Sequence, residues 1–507
     1  MQKPSVKKLR GLPELLLATL LATGTSAFGG DMTLATTSNK TVVEPKKEEA
    51  NPLSFYNGAI VFDIQERLRF EARENNFDYD DSIDTVNDDS WLLQRFRLGL
   101  AVKPTSWLKI YAQVQDSREA YSDRADFPGV LGAEGDDAFD LRQAYIQIGN
   151  PNGFSLTVGR QILSYGDERL VGAFDWNNIA RTFDAMKARY VAPTWSIDAF
   201  ASTVVVPERG SYNQSDAFNG NETKREQVFS GIYFSTSACT FQTTDLYVFH
   251  LHENTNASYL PTAAGNTDFA TFGFRIKSKP GAFHRQVEET PAMDGKSLAD
   301  GKSAPAPAPK AAPKAVGFDY DMEAAFQTGE VRGQDLTAYA VHAGIGFTFD
   351  AAWKPRLGIE GNLGSGDRDP LDSDSETFQN LFPTNHKFYG YMDTFSWQNM
   401  REVAAQFKLQ PTKTLTVQFD YHAFWLDSTD DVWYRANGST AVRPLTPASR
   451  EADSYAGSEA DLTITWNVKK WASIQVGYSH FFAGDYLSDT GASDDADFAF
   501  VQTTFNF

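Results

Sequence analysis

Hydrophobic and polar residues alternate with a period of two along much of the chain. Phe318, Tyr320, Met322, Ala324 and Phe326 fall on one side of an extended segment, with Asp319, Asp321, Glu323, Ala325 and Gln327 on the other. Leu92, Phe96, Leu98, Leu100 and Val102 oppose Arg95, Arg97, Gly99, Ala101 and Lys103. Leu108, Ile110, Ala112 and Val114 oppose Lys109, Tyr111, Gln113 and Gln115 in the same way. This predicts β-strands, because successive side chains of a strand point to opposite faces. The last strand follows the rule: Ala499, Val501, Thr503, Phe505 and Phe507 share a face, and the final residue is aromatic. Each segment runs for roughly 10 to 15 residues, the reach of a tilted strand across a bilayer. One apolar face must then meet a second sheet or lipid.

Connection lengths separate those two cases. Short links occur at 103–106, 149–153, 192–194, 410–413 and 467–470, while 74–90, 119–139, 206–225, 364–398 and 427–459 are long and polar. Long links alternating with short ones are the plan of an outer-membrane barrel, with tight periplasmic turns and large outer loops. The predicted fold is all-β: a transmembrane antiparallel barrel of about 18 strands with up-and-down topology, running from about Phe55 to Phe507. A barrel of this size encloses an aqueous channel unless loops fill it. Residues 278–316 break the size rule, being long yet placed by parity on the periplasmic side. Their alternating Ala-Pro run over 304–309 predicts an extended spacer rather than a core. Two strands hidden within it would raise the total to about 20.

The first residues read as an export signal over 1–27. Lys3, Lys7, Lys8 and Arg10 precede a short apolar stretch from Leu15 to Ala22 and the small residues Thr25, Ser26 and Ala27. That stretch is well short of the roughly 20 residues a spanning helix needs. A periplasmic tail over 28–54 leads into the barrel over 55–507. Aromatic residues make up 13% of the chain, which suits the girdles at the two edges of a barrel's apolar band. A single cysteine, Cys239, excludes an intramolecular disulfide framework, and a net charge of -20 argues against nucleic acid as a partner. The seven histidines show no zinc-ligand spacing. The acidic runs 78–81 and 367–376 read as solvated outer loops, and although alternating oxygen ligands can hold calcium, the second run lacks the spacing of an EF-hand loop. No nucleophile–base motif appears, so no catalytic residue, metal or cofactor is assigned.

Parity assigns charged side chains to the lumen. Arg67, Arg69 and Arg73 on the first strand, Arg95 and Arg97 on the second, and Lys187 and Arg189 on the sixth face inward, joined by Arg275 and Arg356. Arginine stays charged where water is sparse, and its fork matches both oxygens of a carboxylate. A ladder of such groups passes an anion along in short, individually weak steps. Inward acids offer a purely structural alternative, ion pairs that stiffen the wall: Glu71, Asp198, Asp319, Asp321, Glu323, Glu360, Glu402, Asp420, Glu459 and Asp461. Bases dominate before about Arg189 and acids after about Asp319, which predicts a basic arc facing an acidic one. That arrangement is compatible with an anion pore and with an unselective pore for polar solutes.

Several segments resemble the alginate-export family of outer-membrane barrels. The likeness rests on 140–149 (DLRQAYIQIG), 157–161 (TVGRQ), 166–170 (GDERL) and 176–178 (WNN), and continues through 364–367, 378–383 and 386–393. It covers most of the chain from Phe55 to Phe507. The resemblance implies an 18-stranded monomeric barrel in the bacterial outer membrane, with an electropositive constriction and a periplasmic gating loop, passing an acidic polysaccharide. It adds Arg142, Arg160 and Arg181 as lumen or mouth residues, although Arg160 shares parity with the outward Leu156 and Val158 and reaches the lumen only through a bulge. The expected partners are outer-membrane lipid, an acidic or polar polysaccharide and periplasmic export proteins. A mixed-charge porin, a polysaccharide-acting enzyme and an adhesin are the competing classes.

Overall fold

The alternating segments form one antiparallel sheet closed on itself in the computed structural model, which describes residues 52–75, 78–82, 88–122, 136–207, 212–215, 226–254, 265–279, 314–439 and 441–507. The expected signal (1–27), nearly all of the 28–54 tail and residues 280–313 of the spacer lie outside them. Eighteen long strands make the wall. They are β1 (Ile60–Glu74), β2 (Asp89–Thr105), β3 (Leu108–Ala120), β4 (Asp137–Gly149), β5 (Phe154–Gln161) and β6 (Phe183–Val191). Then follow β7 (Trp195–Val206), β8 (Glu226–Thr236), β9 (Gln242–Asn254), β10 (Thr267–Ser278), β11 (Lys314–Val331) and β12 (Gln334–Asp350). The ring ends with β13 (Arg356–Gly364), β14 (Met400–Leu409), β15 (Leu415–Trp425), β16 (Tyr455–Lys469), β17 (Ala472–Ala483) and β18 (Ala496–Asn506). Closure comes from β1 against β18, in register from Gln65↔Asn506 to Glu74↔Asp497. β10 pairs directly with β11, so the spacer between them inserts no further strands in the wall.

Outward positions carry the apolar face. Ile110, Val158, Met186, Ile232, Val248, Phe272, Phe326 and Ile359 are exposed, which a wall in water would not tolerate over its full height. Trp107, Phe154, Tyr190, Trp195 and Trp353 ring the short-turn edge as an aromatic girdle. Outward charges such as Arg118, paired with Asp116, and Arg401, paired with Asp427, keep to the loop end of their strands. At mid-bilayer a basic side chain on this face costs about 2–4 kcal/mol.

The long–short alternation has a second exception besides the long connection between β10 and β11. β11 and β12 join on the loop side through Arg332 and Gly333 alone, both at positive φ (51° and 82°). Two consecutive left-handed residues match the strand twist in a tight hairpin, and glycine at 333 makes the second one inexpensive.

The lumen is not open over its full width. Long connections fold inward, among them loop A (162–182, between β5 and β6), loop B (365–399, between β13 and β14) and loop C (426–454, between β15 and β16). Loops A and B dock through backbone hydrogen bonds, Gly172 N–H to Phe382 O and Phe382 N–H to Leu170 O, each 2.8 Å. An inward aromatic wall receives them. Phe382 packs 4.8 Å from Phe229 and 5.2 Å from Phe183, and Tyr165 stacks 4.7 Å from Tyr233. Loop C is tied to loop B by Trp433, which stacks on Phe395 and donates to Thr394 O.

Candidate functional site

Five wall arginines converge on one stretch of loop A. The alternation of β1 and β2 turns Arg67, Arg69, Arg95 and Arg97 inward, and all four are buried. Arg67 donates to Asp175 O at 2.7 Å and to Asn178 Oδ1 at 3.1 Å, and Arg69 to Trp176 O at 2.7 Å. Arg95 donates to the carbonyls of Asp175 and Asn177. The Asp175 carboxylate is shared by Arg95 at 3.1 Å, Arg97 at 2.8 Å and Arg142 at 3.6 Å. Arg142 reaches it because β4 slips register between Leu141 and Gln143, where Gln113 faces Gln143 and Val114 faces Leu141. The arginines therefore do not form the free ladder that parity suggests. They hold loop A across the lumen.

The electrostatic balance at this point stays positive. Arg67, Arg95, Arg97 and Arg142 surround a single carboxylate, and Nη2 of Arg97 and Nε of Arg142 are buried without a protein partner. Burial alone would raise the Asp175 carboxyl, but the guanidiniums of Arg95, Arg97, Arg142 and Arg67 outweigh it and hold it far below the ordinary carboxylate range. Half of the Asp175 side chain (50%) remains open to the lumen. The site is thus an arginine nest occupied by an internal, water-accessible carboxylate.

The opposite wall is acidic, and loop A reaches it as well. β2 and β11 lie nine strands apart in the ring of eighteen, so they face each other. Arg169 of loop A donates to Asn362 Oδ1 at 3.2 Å, stands 3.0 Å from His342 Nε2 and lies 4.0 Å over the Phe388 ring. Loop A therefore presents an acid to the basic arc and a base to the acidic arc, opposing the field across the pore. Nearly every member of the acidic arc has a partner of its own. Asp319 pairs with Arg356, and Asp321 with Lys277 and His342. Glu323 accepts from Tyr247 Oη, Glu360 from Gln406 and Asp420 from Gln418. His422 stands 2.5 Å from Glu402 and 3.4 Å from Asp461, and Glu459 accepts the Met392 N–H. Below the loops, a cavity of about 950 Å³ opens among Lys277, Lys387, Lys408, Asp319, Glu360 and Asp420. Among the described residues, no three His, Cys, Asp or Glu side chains are arranged to hold a metal ion.

The remaining expected residues divide by location. Arg73 is inward, donates to Met392 O of loop B and lies over Phe498. Arg181 lies within loop A and stitches it to loop B through Pro383 O; burial pushes its guanidinium down to about 10. Lys187 and Arg189 share the inward parity of the buried Ala185, and Arg189 pairs with Asp198. Arg275 is inward but neutralised by Asp167 and Asp245. Arg160 is the correction. It follows Val158 onto the outer side of β5, opposite Asp184, and pairs with it at 2.9 Å while donating to Leu141 O and Asn213 O. The bulge that would have turned it inward belongs to β4, at Arg142, so Arg160 braces the outer rim. Asp175, Trp176, Arg169, His342 and His422 were not expected. The first three sit in a loop without period, and a lone histidine on a strand gives no signal of its own.

The model of the alginate export family matches residues 59–502. No curated protein matches the sequence. Among solved structures the chain is similar to OprD from Pseudomonas aeruginosa, with 9% identity, a TM-score of 0.54, and coverage of 89% of this chain and 93% of that one. It is also similar to Pseudomonas aeruginosa OpdK with vanillate, at 10% identity and a TM-score of 0.53, covering 88% of this chain and 98% of that one. OccK2 (OpdF) of the same organism, in complex with glucuronate, gives 10% identity and a TM-score of 0.52 with the same coverages, 88% and 98%. At this identity the likeness is one of fold. The family match, the closed 18-stranded wall and its apolar outer face agree, and the chain belongs to the alginate export family of bacterial outer-membrane channels.

Proposed function

We propose that this channel passes an acidic polysaccharide, and that the arginine nest around Asp175 is where its carboxylates are recognised. The observation that carries this reading is the excess of guanidinium over carboxylate there, with Arg95, Arg97 and Arg142 on one aspartate. Planar fork geometry suits a uronate as well as it suits Asp175. Vanillate and glucuronate, held by two barrels of similar fold, are both carboxylates, which is in keeping with the reading. The test is reversal potential in planar bilayers under a salt gradient, with blockade by oligouronates compared against neutral oligosaccharides. Anion preference and selective blockade by the uronates are expected. Equal blockade by neutral sugars would instead favour a mixed-charge porin, which the cavity lined by both Lys277 and Asp319 supports. The same reading takes the barrel as a monomer, residues 1–27 as a cleaved export signal, 28–54 as a periplasmic tail and the 278–316 spacer as a contact for periplasmic export proteins.

A further inference from the structure

His342 stands at a fork that a single protonation state cannot satisfy. Its Nδ1 is 2.8 Å from Asn362 Oδ1. Its Nε2 faces two groups at once, the Arg169 guanidinium at 3.0 Å and a carboxylate oxygen of Asp321. Arg169 only donates, so it needs a lone pair on Nε2; ionised Asp321 only accepts, so it needs a proton there. With Nδ1–H directed at Asn362, neutral His342 serves Arg169 and leaves Asp321 facing a lone pair. Imidazolium serves Asp321 and sets two cations against each other.

We propose that His342 is a proton-operated latch for loop A: neutral, it anchors Arg169 and keeps the loop seated; protonated, it turns to Asp321 and releases that end. The surroundings supply both states. On β11, Asp321 is bonded to His342 and Glu323 lies directly across from it in register. On β13, Asn362 is the cross-strand partner and Glu360 bonds to it. From loop A come Arg169 and Asp167, from β10 Lys277, which contacts both Asp167 and Asp321, and from loop B the Tyr389 hydroxyl on Arg169. Lys277 keeps Asp321 partnered when His342 is neutral, and the Tyr389 hydroxyl of loop B keeps Arg169 partnered once it has left His342 and the neighbouring Asn362 on the wall. Neither state strands a buried charge, which lets both be populated. Histidine is the side chain whose ordinary charge change falls between pH 5 and 8.

The test is single-channel recording of the full barrel in potassium chloride, with no saccharide present, from pH 8 to pH 5. Its outcome is therefore independent of the substrate reading. Closed dwell times should shorten about tenfold on acidification, the scale set by losing a charge-assisted hydrogen bond. In His342→Gln the side-chain amide oxygen still accepts from Arg169 at every pH, so long closures should persist and the pH response should vanish. In Asp321→Asn the imidazolium loses its carboxylate, so the transition should move to lower pH. Heat-modifiable migration on gels verifies folding, and if His342→Gln does not fold, the Asp321→Asn shift decides. A pH-independent wild type, or a transition unmoved in Asp321→Asn, overturns the proposal.

Discussion

The indole of Trp176 lies flat against the imidazole of His386, with ring centroids 3.8 Å apart and planes 11° from parallel. Its other face carries the Arg69 guanidinium at 3.9 Å. Loop A, loop B and the wall thus meet through one side chain. Trp176 also meets Tyr391 and Phe500 edge-on, and Asp393 holds His386 at 2.9 Å. Aromatic stacking and a cation over a ring are together worth about 1–3 kcal/mol. Trp176→Ala should loosen the loop A–loop B contact by about that much. Noisier, larger single-channel conductance and faster proteolysis of loop A in folded barrels would report it; a channel as quiet as wild type would show that the backbone contacts at Phe382 suffice.

Removing the basic side of the nest should alter selectivity as well as the seating of loop A. Arg95→Gln with Arg97→Gln leaves Asp175 with Arg142 as its remaining ion-pair partner at 3.6 Å. Arg95 also holds two loop carbonyls, so the pair of changes loses both charge and anchorage. Anion preference should fall, and loop A should be seated less firmly, while the closed sheet itself is untouched. Reversal potentials measured on barrels that still show heat-modifiable migration separate the two effects. Unchanged selectivity would remove these arginines from the conduction path.

How the arginines are used marks where the sequence stops being informative. The inward turn of Arg67, Arg69, Arg95 and Arg97 follows from alternation with Leu68 and Phe70 on β1 and with Phe96 and Leu98 on β2, because a strand offers a side chain only two directions. Their partners are carbonyls of Asp175, Trp176 and Asn177, and a loop has no periodicity from which its path could be derived. One signal was present. On β8 the inward Phe229 and Tyr233 are as apolar as the outward Val228 and Ile232, so the strand is greasy on both faces. A water-filled lumen has no use for that pattern; a lumen packed with loops does. The Arg160 case is subtler, since the register slip near Arg142 reverses parity on one strand and leaves its neighbour unchanged.

The Asp175 carboxylate predicts both a gain of function and an insensitivity. Asp175→Asn removes the carboxylate that Arg95, Arg97 and Arg142 share, so anion preference and uronate blockade should both increase. The sign of the pH effect follows from the lowered carboxyl. A depressed folded-state value means that the interaction is fully present above the unfolded value of about 3.9 and is lost only as pH falls through the folded one. The carboxylate therefore stays ionised and clamped from pH 7 to pH 4. Over that range the difference in selectivity between wild type and Asp175→Asn should be constant. A difference that disappears near pH 4 would mean that the guanidiniums do not control this carboxyl.

Loop B has a corresponding weak point at Gly390. Its φ is +81°, a conformation that costs an L-residue about 1–2 kcal/mol. A Cβ there would also overlap the Glu459 carboxylate, which is fully buried and accepts the Met392 N–H at 2.9 Å. Gly390→Ala must therefore push loop B off β16 or displace Glu459 from its only backbone donor among the described residues. Either way the loop should unseat while the sheet remains closed. The expected result is a barrel with normal heat-modifiable migration and a larger, less rectified conductance. Glu459→Gln is the matched control, because an amide oxygen can still accept from Met392 and no new atom is added. It should stay close to wild type; if it instead reproduces the Gly390→Ala conductance, the charge of Glu459, and not the space at Gly390, holds loop B in place.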